Sequence, residues 1–166
     1  MPTIDTFGGH LRAALAVSLA AAVLALGPAE AAEPEVIELT QTPCQFIEVE
    51  QGGDHGFKSQ KKADCEGINE QTGAERLAQA QVLRLKPGAY VFRVTNKNVP
   101  YPLGFWLREA GYDEANYIKR LTMTSVSGGG LDTGKTKNYH VELEPGEYVY
   151  SCPLNPTPNY RLIVEG

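Results

Sequence analysis

From residue 35 onward the chain alternates apolar and polar positions in short runs. Val36-Ile37-Glu38-Leu39-Thr40 and Phe46-Ile47-Glu48-Val49 are rich in β-branched residues and bounded by Thr42-Pro43 and Gly52-Gly53, which predicts strands over 36–40 and 46–49. Further strands are expected over 81–85 and 89–96, where Tyr90, Phe92 and Val94 share one face, and over 105–107. Residues 109–134 are loop-rich, with one strand around 118–124. Over 136–143 Tyr139, Val141 and Leu143 point inward against His140 and Glu142, and strands over 147–152 and 160–164 finish the chain. The segment 73–80 (GAERLAQA) differs: it is Ala- and Glu-rich and predicts two turns of helix after a Thr72 cap. The expected fold is all-β, an antiparallel Greek-key sandwich with one short helix.

Two stretches echo each other. Residues 82–92 (VLRLKPGAYVF) and 140–150 (HVELEPGEYVY) share a Leu-x-Pro-Gly-x-Tyr-Val-aromatic pattern. Each reads as a hairpin built on a Pro-Gly turn, and one echo does not make a repeat array.

Composition adds a compartment. Arg12 precedes an unbroken small and apolar run, residues 13–27, followed by Pro28 and then Ala29-Glu30-Ala31. This is the order of a cleavable export signal, with cleavage after Ala31, and the run is shorter than the ~18 residues that span a bilayer. The expected organisation is a signal peptide over 1–31 and a single domain over 32–166. Within that domain, strands, a polar loop and the short helix occupy 34–80, and the core hairpins occupy 81–166. The expected location is a bacterial periplasm, with no membrane span after cleavage. With 15 Lys and Arg against 20 Asp and Glu, the net charge is −5 and no basic run is present, which argues against nucleic acid as a partner.

Export makes the three cysteines informative, because an oxidising compartment permits a disulfide. Three cysteines allow three single bridges. The local one, Cys44 to Cys65, would close the most polar stretch of the chain and contribute on the order of 3 kcal/mol. It leaves Cys152 as the odd thiol.

The C-terminal stretch 139–155 (YHVELEPGEYVYSCPLN) resembles the cupredoxins, the plastocyanin-like blue-copper proteins, in which a Gly-x-Tyr-x-aromatic strand runs into a ligand loop C-x-x-H…M. The segment 96–107 (NKNVPYPLGFWL) is similar to the family's first-ligand loop, where a His follows the position of Pro102. The resemblance covers about residues 80–166 and implies a copper site of two His and one Cys with a weak axial Met. Of that set only Cys152 is present. Leu103 stands at the first His position, Asn155 at the second, and Tyr160 near the axial Met; Met123 lies too far upstream to serve. Neither Leu nor a neutral amide supplies the nitrogen lone pair of an imidazole. No cofactor is therefore expected, and copper would require an atypical site drawing on Cys152 with His140 or with His55, whose loop also carries Asp54.

The segment 129–136 (GGLDTGKT) matches the phosphate-binding pattern G-x-x-x-x-G-K-[ST]. That chemistry needs a helix after the loop, whereas 137–146 has a period of two and stops at Pro-Gly, so ATP is not an expected ligand. Ser125 and Ser127 have no His nearby, Glu109, Asp113 and Glu114 show no paired arrangement, and no enzyme is indicated. The loop 153–159 carries three prolines, which stiffen it. Together with Tyr101 and Leu103, its Pro153, Leu154, Pro156 and Pro158 are the expected docking surface, beside the core aromatics Phe105 and Trp106. The sequence thus points to an exported binding or accessory module that docks a protein or small ligand at this end. The alternative is a periplasmic electron-transfer or copper-handling protein using Cys152.

Overall fold

The structure is a computed structural model that describes residues 1–3 and 33–166, so the expected signal sequence falls largely outside the described residues. Among them, nine strands and two helices occur in the order β1 (Glu35–Thr42), β2 (Gln45–Phe46), α1 (Lys62–Gln79), β3 (Leu83–Leu85), β4 (Gly88–Asn96), β5 (Leu103–Glu109), α2 (Tyr117–Thr122), β6 (Thr124–Leu131), β7 (Thr136–Leu143), β8 (Gly146–Ser151) and β9 (Tyr160–Val164). They form two sheets, one in the order β2-β1-β4-β7 and one in the order β3-β9-β8-β5-β6. No described helix is long and apolar enough to cross a membrane.

The alternation along the strands places Tyr90, Phe92, Val94, Phe105, Leu107, Tyr150 and Leu162 in the core. Their rings interlock across the layers. Phe92 stacks on Phe105 with centroids 5.2 Å apart, and Phe46 meets Tyr160 edge-on at 5.8 Å. Gly128 in β6 admits the ring of Tyr139 from the other sheet, since a Cβ there would lie 2.8 Å from the Tyr139 Cε1.

The all-β sandwich holds, and its details depart from the expected antiparallel scheme. β1 runs parallel to β4, and β3 runs parallel to β9. The two Pro-Gly turns are not hairpins. β3 and β4 lie in different sheets, as do β7 and β8, so each turn carries the chain from one layer to the other.

The helix is longer than expected. α1 begins at Lys62, inside the stretch expected to be a polar loop. Asp64 closes its first turn by accepting the N–H groups of Gln60 (2.8 Å) and Lys61 (3.1 Å). Thr72 is no cap; its hydroxyl donates to the carbonyl of Ile68 within the helix. The strand expected over 46–49 shrinks to Gln45–Phe46, followed by a 3-10 turn over Glu48–Glu50 that aims Glu50 inward. The strand expected over 118–124 is largely α2, because the Asn116 side chain accepts the N–H groups of Ile118 and Lys119 and starts a helix. The 129–136 segment is the end of β6 and the turn into β7, so a strand follows Lys135 where a phosphate loop needs a helix.

Candidate functional site

β8 ends at Ser151, and the chain returns through residues 152–159 to β9. Asn155, at the centre of this loop, is completely buried. Its Oδ1 accepts the N–H of Cys44 at 2.9 Å and lies 3.1 Å from the Cys65 sulfur, while its Nδ2 donates to the carbonyl of Thr42 at 2.9 Å. Its own N–H reaches the Cys152 sulfur at 3.2 Å. One amide thus joins the loop, the end of β1 and the disulfide.

Cys44 and Cys65 are bridged, with Cα atoms 5.0 Å apart. Cys44 occupies the left-handed region at φ 67°, a conformation costly for a side-chain-bearing residue. It is held from three sides: Asn155 takes its N–H, Arg76 of α1 donates to its carbonyl at 2.8 Å, and the sulfur is tied to α1. A second tie from α1, Asn69 Nδ2 to the Pro156 carbonyl at 2.6 Å, fixes the far side of the loop. Thr157 closes it from within by accepting the N–H of Cys152 and donating to the Pro158 carbonyl.

Cys152 is a free thiol, 2% exposed. Burial pushes its pKa up, offset in part by N–H groups of Gly104, Asn155 and Leu154 and by the Gln41 side chain. Gln41 also donates to the Gly104 carbonyl at 2.9 Å, while its Oε1 and the Thr42 hydroxyl have no partner.

The donors around Cys152 do not fit a type 1 copper centre. Leu103 and Tyr160 are fully buried and bring no imidazole, and both polar atoms of the Asn155 side chain are already bonded. His140 is exposed on β7, opposite Val91 of β4. His55 is bound elsewhere, its Nε2 2.6 Å from Glu50. Among the described residues no group of three or more His, Cys, Asp or Glu is arranged to hold a metal ion.

The surface expected for docking is narrower than its sequence list. Leu103 and Pro158 are buried and belong to the interior, Leu103 opening β5 inside the sandwich. Leu154 is exposed, and Tyr101, Pro153 and Pro156 are half-buried around it. The Tyr101 hydroxyl points inward to Ser59 and Asn155.

A buried polar cluster escaped the sequence. The Glu50 carboxylate is gripped by Arg76 through Nη2 at 2.7 Å and Nε at 2.9 Å, accepts the hydroxyl of Tyr160, and meets His55. Burial alone would raise the Glu50 pKa; the bonds from Arg76 and Tyr160, the Arg76 charge and His55 outweigh it and hold the carboxyl below its usual range. The Tyr160 hydroxyl is pushed up by burial and by the Glu50 charge. The position resembling an axial ligand thus belongs to a second polar anchor of α1. Its members lie far apart in sequence and in no motif, so no signal in the sequence joined them.

The fold defines the class: an all-β sandwich of two mixed sheets, closed at one end by a cysteine-bearing loop. Among solved structures the chain is similar to auracyanin B, at 15% identity over 83% of this chain and 94% of that chain, with a TM-score of 0.49. It is also similar to auracyanin A, described as a "blue" copper protein from the green thermophilic photosynthetic bacterium Chloroflexus aurantiacus, at 15% identity over 80% of this chain and 99% of that one, with a TM-score of 0.45. No family model matches the chain, and no curated protein does.

Proposed function

We propose that the protein is an exported, cupredoxin-like binding or accessory module, non-enzymatic and without a type 1 copper site. It would dock a protein or small ligand with the end of the sandwich around Leu154. The observation that carries this reading is the Asn155 side chain, fully buried and bonded to Cys44 and Thr42 where the family resemblance puts a copper-binding imidazole. An amide in that place does structural work: it converts a ligand loop into a fixed platform. The platform is anchored by Asn69, Asn155 and Thr157, so docking on Leu154, Pro153 and Tyr101 would cost little ordering entropy. The order of charged, apolar and small residues over 1–31, read as an export signal, supports a periplasmic location for this activity.

The test is metal content and the visible spectrum of the purified chain after addition of Cu(II), repeated on Cys152→Ser. The expected result is a colourless protein whose melting temperature is unchanged by copper. Stoichiometric copper with a thiolate-to-copper band lost in Cys152→Ser would overturn the reading in favour of an atypical redox or copper-handling protein.

A further inference from the structure

α2 follows β5 and precedes β6, and it buries none of its six residues. Tyr117, Ile118 and Leu121 are 63%, 64% and 64% exposed, half of the large apolar side chains that are exposed among the described residues. Together they present roughly 350 Å² of surface on adjacent turns, the size at which an exposed apolar patch is commonly functional. A two-turn helix does not persist on its own propensity. Here it is held without the core: Asn116 caps it, Lys119 Nζ donates to the Gly111 carbonyl at 3.0 Å, and Thr124 donates to the Arg120 carbonyl at 2.8 Å. The preceding loop is tied down by Arg108, whose guanidinium lies 4.9 Å from the centre of the Tyr112 ring. The helix is therefore built to display an apolar stripe rather than to bury one.

Charge says what covers it. α2 contributes Lys119 and Arg120 and no acid. Thr122, its last residue, borders a hollow of about 450 Å³ lined by Glu109, Glu142 and Glu144, and a second hollow of about 430 Å³ shares Glu109 and Glu144. Among the described residues none of these three carboxylates forms an ion pair, and neither does Lys119 or Arg120. Within one molecule Lys119 is turned to Gly111 and Arg120 to the ring of Tyr117. The helix carrying the stripe reaches the first hollow, which His140 also lines, only at Thr122, and neither of its cations lines it within one molecule. A patch of that kind is self-complementary about a two-fold axis, with stripe against stripe and each pair of cations facing the other copy's hollow.

We propose that this end of the sandwich is a self-association surface whose occupant is a second copy of the same chain, joined through Tyr117, Ile118 and Leu121 and by Arg120 against Glu142 and Glu144. It is a different end from the Asn155 loop. β5 starts beside that loop at Leu103 and finishes at Glu109, which pairs with Tyr148 near the start of β8. The apolar area is below the ~800 Å² per partner of stable complexes, so the dimer is weak and depends on salt.

Sedimentation equilibrium of the purified chain from about 1 to about 500 µM tests this. The expected result is a monomer–dimer equilibrium that weakens at least about fivefold between low and high salt. Leu121→Asp should abolish it, and Arg120→Glu or Glu142→Arg alone should weaken it about tenfold, with partial recovery in the double exchange. Because α2 buries nothing, Leu121→Asp should keep the wild-type melting temperature; Ile118→Ser, with the salt series on the unaltered chain, decides the matter if it does not. A monomer over the whole range, or a dimer indifferent to salt and to these substitutions, overturns the proposal. A copper result at Cys152 leaves it untouched.

Discussion

Tyr148 does at the corner between β7 and β8 what Tyr90 does at the corner between β3 and β4. Each hydroxyl donates to the carbonyl four residues earlier, Tyr90 to Lys86 at 2.9 Å and Tyr148 to Glu144 at 3.0 Å. The internal echo of Leu-x-Pro-Gly-x-Tyr is therefore a repeated device for changing sheets. The Pro-Gly pair turns the chain, Gly88 takes a φ of 149° that other residues avoid, and the tyrosine pins the corner. Tyr90→Phe and Tyr148→Phe should each destabilise the protein by about 1 kcal/mol, seen as lower urea midpoints with unchanged slopes. A slope change would mean that the corner also shapes the unfolded or native ensemble.

Asn155 is the next residue to probe. Asn155→Ala would strip the bond from the Cys44 N–H, leaving a buried donor unsatisfied beside a left-handed backbone, and would free the Thr42 carbonyl. The expected loss is about 2–3 kcal/mol, measured by urea unfolding. Asn155→His should be no milder: a neutral imidazole also has one donor and one acceptor, but its two nitrogens diverge across a larger ring that must fit where the fully buried amide sits. A neutral Asn155→Ala would remove the basis for treating the loop as a fixed platform.

The bridge between Cys44 and Cys65 closes 21 positions of chain and ties α1 to the turn after β1. Replacing both cysteines by serine should cost about 3 kcal/mol. Amide hydrogen exchange should show the loss of protection concentrated in α1 and in residues 152–159, since Asn69 and Asn155 link those segments. Cys152 should behave oppositely. Buried, with its pKa raised, it should resist alkylation at neutral pH and react fully only after unfolding.

The strands were legible wherever one face is apolar and the other wet. Residues 136–143 illustrate this, with Tyr139 and Leu143 buried and His140 and Glu142 exposed. The cysteine pairing was legible from the expected export signal and from spacing, and Cys44 and Cys65 are bridged. Of α1 only the part from Gly73 onward was legible; its first part was not, because the residues the helix buries are Cys65, Gly73 and Arg76, which leave no apolar stripe at helical spacing to read. α2 was misread for the reverse reason: Ile118, Thr122 and Thr124 favour a strand, and a single Asn116 cap outweighs them. The Leu103, Asn155 and Tyr160 substitutions were visible, and their consequence was not. What Asn155 and Tyr160 bind comes from residues about a hundred positions away, Cys44 and Glu50.

Glu50 gives the protein an acid limit that its surface charges do not. Its carboxyl is held below the ordinary value of 4.5, chiefly by Arg76 and Tyr160 acting against burial. A carboxylate with a lowered folded-state pKa binds fewer protons folded than unfolded, so its contribution to stability is complete above about pH 4.5 and is lost as pH falls through the folded value. Urea unfolding between about pH 7 and pH 3 should show stability falling below 4.5 in the wild type. Glu50→Gln should lose about 3 kcal/mol at pH 7, because Arg76 keeps a buried charge without its counter-ion. The variant's stability should then be flatter across the acid range, since the group that titrates is gone. Equal slopes in the two proteins would assign the acid sensitivity to other carboxylates and leave Glu50 as a purely geometric anchor of α1.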